Sequence, residues 1–336
     1  MPKLIRLKEM PSRASRPHKT DLPPWQPGLA ARRLLELLRE YRYITPGLAG
    51  MVYEHRHGRG RWNVHHELTR LWRYGYAERF FRPVEWGSSQ HVYALSVDGA
   101  HVVVDPKDWR VERRRVYNVA KQKANYEHAL AVTLLHVLWV VGSAGQANLF
   151  GTVHIWQDKD GDRDRVRNRF IARVDSEDVA IDPDLTVLIA HQERDYYRPY
   201  FFEVERSHKN YDRLRRRLRA YEYLLSKKGE QVVQDVFQRE TGIVPERGMA
   251  VFVAQDRGHA ERLRTSAKRI VGADTELWFT SLEQLLEVKT RMKKDGTAYV
   301  HRNGEPQEQE VPIPPASFFT RHLLTALDGK RGQLVV

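Results

Sequence analysis

Three carboxylates in the second half of the chain could together hold a divalent metal ion. Asp184 stands in the segment IDPD at the start of one predicted strand, and Glu203 and Glu205 stand two residues apart on the next, FFEVERS. Residues i and i+2 of a strand point to the same face of its sheet, so Glu203 and Glu205 project together. Phe202 and Val204 then point to the other face. With Asp184 beside the two glutamates, the site would be lined by oxygen ligands that suit Mg²⁺, which activates water and shields a phosphate during in-line attack. Asp184, Glu203 and Glu205 are therefore the predicted catalytic residues of a metal-dependent phosphodiester cleavage.

A structural role for the same carboxylates is the alternative. The segment KNYDRLRRRLRAYEYLLSKKG predicts a long amphipathic helix after the second strand, and arginines crowd its polar positions. In this alternative the strand is half exposed, and its glutamates are solvated or paired with arginines of that helix. The arginines could equally follow a DNA backbone.

The elements that must position these carboxylates follow the order α, β, β, β, α, β. From Asn125 the nearly apolar run NYEHALAVTLLHVLWVVG predicts a buried helix. The runs NLFGTVHIWQ, VAIDPDLTVLIA, RPYFFEVERS and, after the arginine-rich helix, GMAVFVAQD are rich in β-branched and aromatic residues, as strands are. The sequence thus predicts an α/β fold for this half, and an α+β chain overall.

The first third of the chain predicts a winged helix-turn-helix. Leucines at helical spacing predict a first helix over residues 29–42, and Thr45 before Pro46 predicts the start of a second. A third helix is predicted over about residues 61–74, followed by the strands YAERFFRPV and HVYALSV with EWGSSQ as their turn. In a winged helix-turn-helix the third helix enters the major groove of DNA.

The polar face of that third helix supplies the candidate DNA contacts, with one arginine beside the wing. They are Arg61, Asn63, His65, His66, Thr69, Arg70, Arg73 and Arg82. Cations and amides of this kind bind phosphates and base edges. The alternative is a winged helix that joins proteins, with its basic residues merely solvated.

The charge of the chain favours DNA as the partner. The 336 residues contain 56 Lys and Arg against 43 Asp and Glu, a net charge of +13. Residues 1–124 carry 24 basic and 12 acidic side chains and therefore hold +12 of it. Such a basic segment binds polyanions, and double-stranded DNA is the first candidate.

Composition also excludes several classes of function. The absence of Cys excludes disulfides, thiolate nucleophiles, and Cys-ligated zinc or iron–sulfur sites. With no uninterrupted apolar run of about 18 residues and no secretory signal at the N-terminus, no membrane partner is predicted and the cytoplasm is the expected location.

The order αβββαβ, with Pro183-Asp184 followed by Glu203-Val204-Glu205, resembles the core of the PD-(D/E)xK nuclease superfamily. Together with an N-terminal winged helix whose second wing strand reads YALSVDG, the chain looks like the replication-relaxation family of plasmid and mobile-element proteins. The resemblance covers about residues 29–255. It implies Asp184 and Glu203 as metal ligands for Mg²⁺, with Glu127 as an additional acidic member.

One position departs from the superfamily pattern. Glu205 stands where the superfamily has Lys, so the cation that stabilises developing charge is missing. Glu205 would then be a further ligand or base, or the site would have lost activity. Arg206, Lys209 or Arg213 could supply the positive charge from nearby.

The resulting domain prediction has five segments. They are a flexible basic arm (1–28), the winged helix-turn-helix DNA-binding domain (29–105), a basic linker (106–124), a nuclease-like α/β domain (125–295) and a C-terminal extension (296–336). The linker could instead be a solvated helix of either domain.

The leading functional hypothesis is a DNA-binding protein that controls replication or transfer of a plasmid or mobile element. A homodimer and replication or transfer proteins are candidate partners. An active Mg²⁺-dependent endonuclease is the second hypothesis, and a transcription regulator whose second domain dimerises is the third.

Overall fold

The computed structural model describes residues 23–58, 62–82, 90–109, 113, 116–117, 126–144, 150–157, 169–191, 196–206, 211–290, 297, 306, 308–313, 324–328 and 330–332. Within them the protein is mixed α/β, as the sequence predicts. The chain divides into two compact units, residues 1–137 with 288–309 and residues 138–287 with 310–336. The five predicted segments stay a prediction, because most of the basic arm and most of the linker lie outside the described residues.

Three helices followed by an antiparallel pair of strands form the start of the first unit. The elements are α1 (Leu29–Glu40), α2 (Pro46–His57), α3 (Trp62–Arg73), β1 (Ala77–Arg82), β2 (Gln90–Leu95) and α4 (Val97–Val103). The strands pair from Ala77 opposite Leu95 to Arg82 opposite Gln90. This is the predicted order, and α4 is a helix that the sequence analysis did not predict.

Local sequence signals account for the ends of α2. The Thr45 hydroxyl accepts a hydrogen bond of 3.3 Å from the backbone N–H of Leu48, and Pro46 occupies the first helical position. The helix ends at Gly58, whose φ of 61° is the left-handed conformation that glycine adopts without strain. The start of the helix is therefore where Thr45 and Pro46 predicted it.

The apolar sides of α1 and α3 build the core of this unit. On α1 the buried side chains include the predicted leucines, and on α3 they include Val64, Leu68, Leu71 and Trp72. Because this side of α3 is fixed inside the unit, the opposite side of the helix faces outward.

The second unit contains most of the strands in the described part of the chain. Its elements, together with the helix that leads into it, are α5 (Tyr126–Ala144), β3 (Phe150–Gln157), β4 (Phe170–Val174), β5 (Glu177–Ile181), β6 (Leu185–His191), β7 (Tyr196–Glu205), α6 (Tyr211–Leu224), α7 (Lys227–Thr241), β8 (Met249–Ala254), α8 (Arg257–Lys268), β9 (Leu277–Ser281), α9 (Leu282–Leu285), β12 (Leu324–Ala326) and β13 (Arg331–Gly332). The strands β10 (Leu286–Thr290) and β11 (Glu308–Pro312) each contain residues of both units.

Two details differ from the prediction. The run VAIDPDLTVLIA is not one strand, because it holds the end of β5, a bend at Asp184, and β6. The hairpin β4–β5 is therefore additional to the predicted order. The single helix predicted over residues 209–229 is two helices, since α6 ends at Leu224 and the Ser226 hydroxyl caps α7 by accepting from the N–H of Gly229.

A mixed sheet with the strand order β13-β12-β9-β8-β7-β6-β3 forms the centre of the second unit. Strands β7, β8 and β9 are parallel to one another, β6 is antiparallel to β7, and β3 is antiparallel to β6. Trp139 of α5 packs on Tyr200 and Phe202 of β7, with ring centroids 5.4 and 5.6 Å apart. On the opposite face, Tyr221 of α6 packs on Phe252 of β8 at 5.6 Å. Strand β7 is thus covered on both faces.

Within the described part of the chain, α5 is the one helix long and apolar enough to cross a membrane. About two thirds of it is buried inside the protein, 67% of the tested window. Core helices of soluble proteins have the same composition, and the contacts of Trp139 are those of a core residue.

Candidate functional site

The site lies at the carboxyl end of β7, where two glutamates point into the protein. Glu203 and Glu205 are 2% and 1% exposed, and both reach towards α6. Their shared direction is what the strand periodicity predicts. The structural alternative is wrong about a half-exposed strand, because every residue from Pro199 to Glu205 is buried, but it is right that the glutamates pair with an arginine of the next helix.

Arg217 of α6 joins the two glutamates. Its Nη1 donates to Glu203 Oε2 at 2.9 Å and to Glu205 Oε1 at 2.7 Å. The other oxygen of Glu203, Oε1, accepts a hydrogen bond of 2.8 Å from the hydroxyl of Tyr221. Residues 217 and 221 are one helical turn apart, so one face of α6 supplies both donors.

Asp184 lies next to this pair because of the pairing between β6 and β7. Its backbone N–H donates to the carbonyl of Phe202 at 3.0 Å, and its Oδ2 accepts from the N–H of Val204 at 2.7 Å. The carboxylate is therefore held against the backbone of β7 between Glu203 and Glu205. We call Asp184, Glu203, Glu205, Arg217 and Tyr221 the acid cluster.

The acid cluster sets three carboxylates against one guanidinium inside the protein. Burial raises the pKa of Glu203 above its ordinary value, and the neighbouring Asp184 carboxylate adds to the shift, while Arg217 opposes it. Burial acts to lower the pKa of Arg217, but the attraction of Glu203 and Glu205 outweighs it and the pKa is raised. Arg217 is therefore charged at every accessible pH. Burial also raises the pKa of Tyr221, so its hydroxyl keeps the proton that it donates.

As arranged, the acid cluster does not fit the predicted Mg²⁺ ion. Among the residues that the structure describes, no group of three or more His, Cys, Asp or Glu side chains is placed to hold a metal. Arg217 Nη1 is within hydrogen-bonding distance of both glutamates, in the space that a bridging cation would need. Glu127 lies on the first turn of α5 in the first unit, and its association with the cluster stays a prediction.

The residue that sequence reasoning missed is Arg217. Of the cations proposed for the missing Lys, Arg206 hydrogen-bonds to Gln255 at 3.1 Å, Arg213 is exposed, and Lys209 lies outside the described residues. A usable signal was present in the sequence, because position 217 adjoins the apolar stripe of α6 at Leu218 and Tyr221.

The other arginines of α6 lie outside the acid cluster. Arg216 pairs with Glu177 of β5 at 2.5 Å, and Arg219 pairs with Glu222 at 2.7 Å. Arg213 and Arg215 are exposed and make no ion pair with the part of the chain that the structure describes. The DNA-backbone role considered for this helix stays a prediction.

The outward face of α3 carries most of the predicted DNA contacts. Asn63, His65, His66 and Arg73 are exposed, and Thr69 and Arg70 are half-buried. Arg61 lies outside the described residues, as does the side chain of Arg82.

Contacts within the first unit restrain part of this face. The guanidinium of Arg70 lies 4.3 Å from the ring centroid of Trp25, and the Thr69 hydroxyl donates to the carbonyl of His65 at 2.9 Å. The His65 ring stacks on His91 of β2 at 5.8 Å. Burial lowers the pKa of both imidazoles, and the nearby charge of Arg79 adds to it, so both rings are neutral at physiological pH. Trp25 and His91 were not predicted as neighbours of this face.

Fold and site together define a mixed α/β protein with a buried acid cluster at the end of a central strand. The family model described as Replication-relaxation matches residues 35–239. This match covers more than half of the chain, and the protein belongs to the replication-relaxation family, as the resemblance in its sequence indicated. Membership supports a role in replication or in mobile elements. Searches of curated proteins and of solved structures give no significant match.

Proposed function

We propose that the protein binds double-stranded DNA through α3 and acts in the replication or transfer of a plasmid or other mobile element. The observation that carries the proposal is the outward face of α3, on which Asn63, His66 and Arg73 are exposed. The opposite face of the helix is buried in the core. Three helices followed by an antiparallel hairpin is the order of a winged helix-turn-helix, whose third helix enters the major groove.

Charge and family membership support the same proposal. The first 124 residues carry nearly all of the net positive charge, and phosphate neutralisation supplies most of the non-specific affinity of such proteins for DNA. The family match begins at residue 35 and covers α2, α3 and the hairpin. A protein of this kind works in the cytoplasm, where it meets the DNA of the mobile element.

Fluorescence anisotropy with a labelled mixed-sequence duplex tests the proposal. Arg73→Ala should weaken binding and reduce the slope of log K against log salt by about one, because one phosphate contact is lost. Asn63→Ala should instead reduce the preference for particular base sequences, measured with duplexes selected from a random pool, since amides bind base edges. Arg33→Ala removes the same charge from α1 and is the matched control. Equal effects of Arg33→Ala and Arg73→Ala would count against α3 as the DNA-contacting helix.

An active Mg²⁺-dependent endonuclease is the second candidate. The convergence of Asp184, Glu203 and Glu205 at the end of β7 favours it, whereas the position of Arg217 opposes it. Incubation of supercoiled plasmid with protein and Mg²⁺, Mn²⁺ or EDTA, beside Glu203→Gln, decides between the two. Metal-dependent nicking that disappears in the variant establishes the enzyme, and binding without nicking leaves the DNA-binding protein.

A further inference from the structure

A single guanidinium nitrogen stands where a bridging metal ion would stand in the acid cluster. Arg217 Nη1 lies 2.9 Å from an oxygen of Glu203 and 2.7 Å from an oxygen of Glu205. An Mg²⁺ ion shared by two carboxylates lies about 2.0–2.1 Å from each ligand oxygen and so needs the same space between them. The two cations therefore exclude each other.

Further ligand oxygens of the cluster are engaged by donors from the protein. Tyr221 donates to Glu203 Oε1 and the backbone of Val204 donates to Asp184 Oδ2. These donors satisfy buried carboxylates in the way that a metal ion otherwise would. The cluster is thus complete with hydrogen bonds and one positive charge.

The packing of α6 holds Arg217 in this position. Leu218 and Tyr221 are buried in the core and fix the rotation of the helix about its axis. The side chain of Arg217 is 24% exposed, whereas that of its neighbour Arg216 is 56% exposed and pairs with Glu177 of β5. Arg217 therefore points at β7 because of the fold.

We propose that Arg217 is the built-in cation of the acid cluster and takes the place of a divalent metal ion. The wild-type protein accordingly holds no Mg²⁺ or Mn²⁺ at this position. Removal of the guanidinium charge converts Asp184, Glu203 and Glu205 into a divalent-metal site. The proposal concerns the second unit and does not depend on DNA binding by α3.

Titration of the full chain with Mn²⁺, followed by the electron paramagnetic resonance signal of the free ion, tests the proposal. Wild-type protein and the control Arg216→Met should leave the signal at the level of the added ion. Arg217→Met should remove one Mn²⁺ per chain from solution. Its thermal unfolding midpoint should rise in Mn²⁺ relative to EDTA, because an ion that binds only the folded state stabilises it. A further Glu203→Gln change in the Arg217→Met chain should abolish both effects.

Two results would overturn the proposal. One is stoichiometric Mn²⁺ binding by the wild-type protein that Glu203→Gln removes. The other is an Arg217→Met chain that neither binds Mn²⁺ nor gains stability from it. If this variant is unfolded in EDTA, circular dichroism gives the readout, with refolding on addition of Mn²⁺ expected and its failure contradicting the proposal. Duplex binding by the variants reports separately on the proposed function of α3.

Discussion

The hydroxyl of Tyr221 donates a 2.8 Å hydrogen bond to Glu203 from a position with no exposure to solvent. Both groups are polar and both are buried. The phenol has the Glu203 carboxylate as its acceptor, and the carboxylate has in the phenol an uncharged donor beside the charged Arg217. Their contact lies in the layer between β7 and α6, among apolar side chains such as Phe201 and Leu218. The stability of the second unit is therefore sensitive to this polar contact.

Tyr221→Phe should destabilise the protein by about 1–3 kcal/mol, because it removes a donor and leaves a buried carboxylate oxygen less satisfied. The free energy of unfolding in urea measures the change. Tyr223→Phe, on the same helix, is the matched control and should have a smaller effect. Equal losses in the two variants would mean that the hydrogen bond to Glu203 contributes nothing.

Arg217→Met should be more damaging, by about 3–5 kcal/mol in the presence of EDTA, because it leaves buried carboxylates without their cation. Arg216→Met breaks an exposed ion pair with Glu177, of a kind that contributes about 0–1 kcal/mol. Urea unfolding of both variants gives the comparison. Similar stabilities for the two would show that Arg217 is no more important than a surface arginine.

Glu203 should make stability depend on pH. Its pKa in the folded protein lies above the ordinary value of 4.5, so the folded state binds the proton more tightly than the unfolded state. Its contribution is therefore fully present below about pH 4.5 and is lost as the pH rises towards the folded pKa. Unfolding free energies of wild type and Glu203→Gln, measured from about pH 4 to about pH 8, should show this decline in the wild type and a smaller one in the variant. A wild-type contribution that instead grows with pH in this range would contradict the direction of the shift.

Gly99→Ala should destabilise the first unit by about 1–3 kcal/mol through overpacking. A Cβ atom at Gly99 in α4 would overlap the backbone carbonyl oxygen of Tyr76, which cannot move as a side-chain end can. A Cβ atom at Gly47 in α2 would meet only the Thr45 hydroxyl oxygen at 4.0 Å. Gly47→Ala is therefore the control, expected to be neutral or stabilising. Thermal unfolding of the two variants tests the pair, and a fully stable Gly99→Ala protein would argue against this close approach.

The order of elements could be predicted because long apolar patterns and caps are local properties of the sequence. The pattern of α1 and the Thr45-Pro46 start of α2 are examples. The hairpin β4–β5 was missed because Ser176, at a positive φ of 69°, stands in its turn where the rule for a turn that begins with Asp leads one to expect Gly.

The acid cluster could be predicted only in part. Strand periodicity is enough to place Glu203 beside Glu205. The choice of Arg217 among five arginines depends on how α6 is rotated against the sheet, and that rotation is decided by packing with elements distant in sequence. The place of Asp184 likewise depends on the register between β6 and β7, in which Leu185 lies opposite Phe202.

The burial of β7 on both faces limits where residues can be inserted into this chain or deleted from it. It pairs with β6 on one edge and β8 on the other, and its alternate side chains face either Trp139 or Arg217. A one-residue insertion or deletion within Tyr196–Glu205 would turn Glu203 towards the tryptophan and Phe202 towards the guanidinium. Single-residue length changes among relatives should therefore fall outside this strand, and engineered insertions are best made elsewhere.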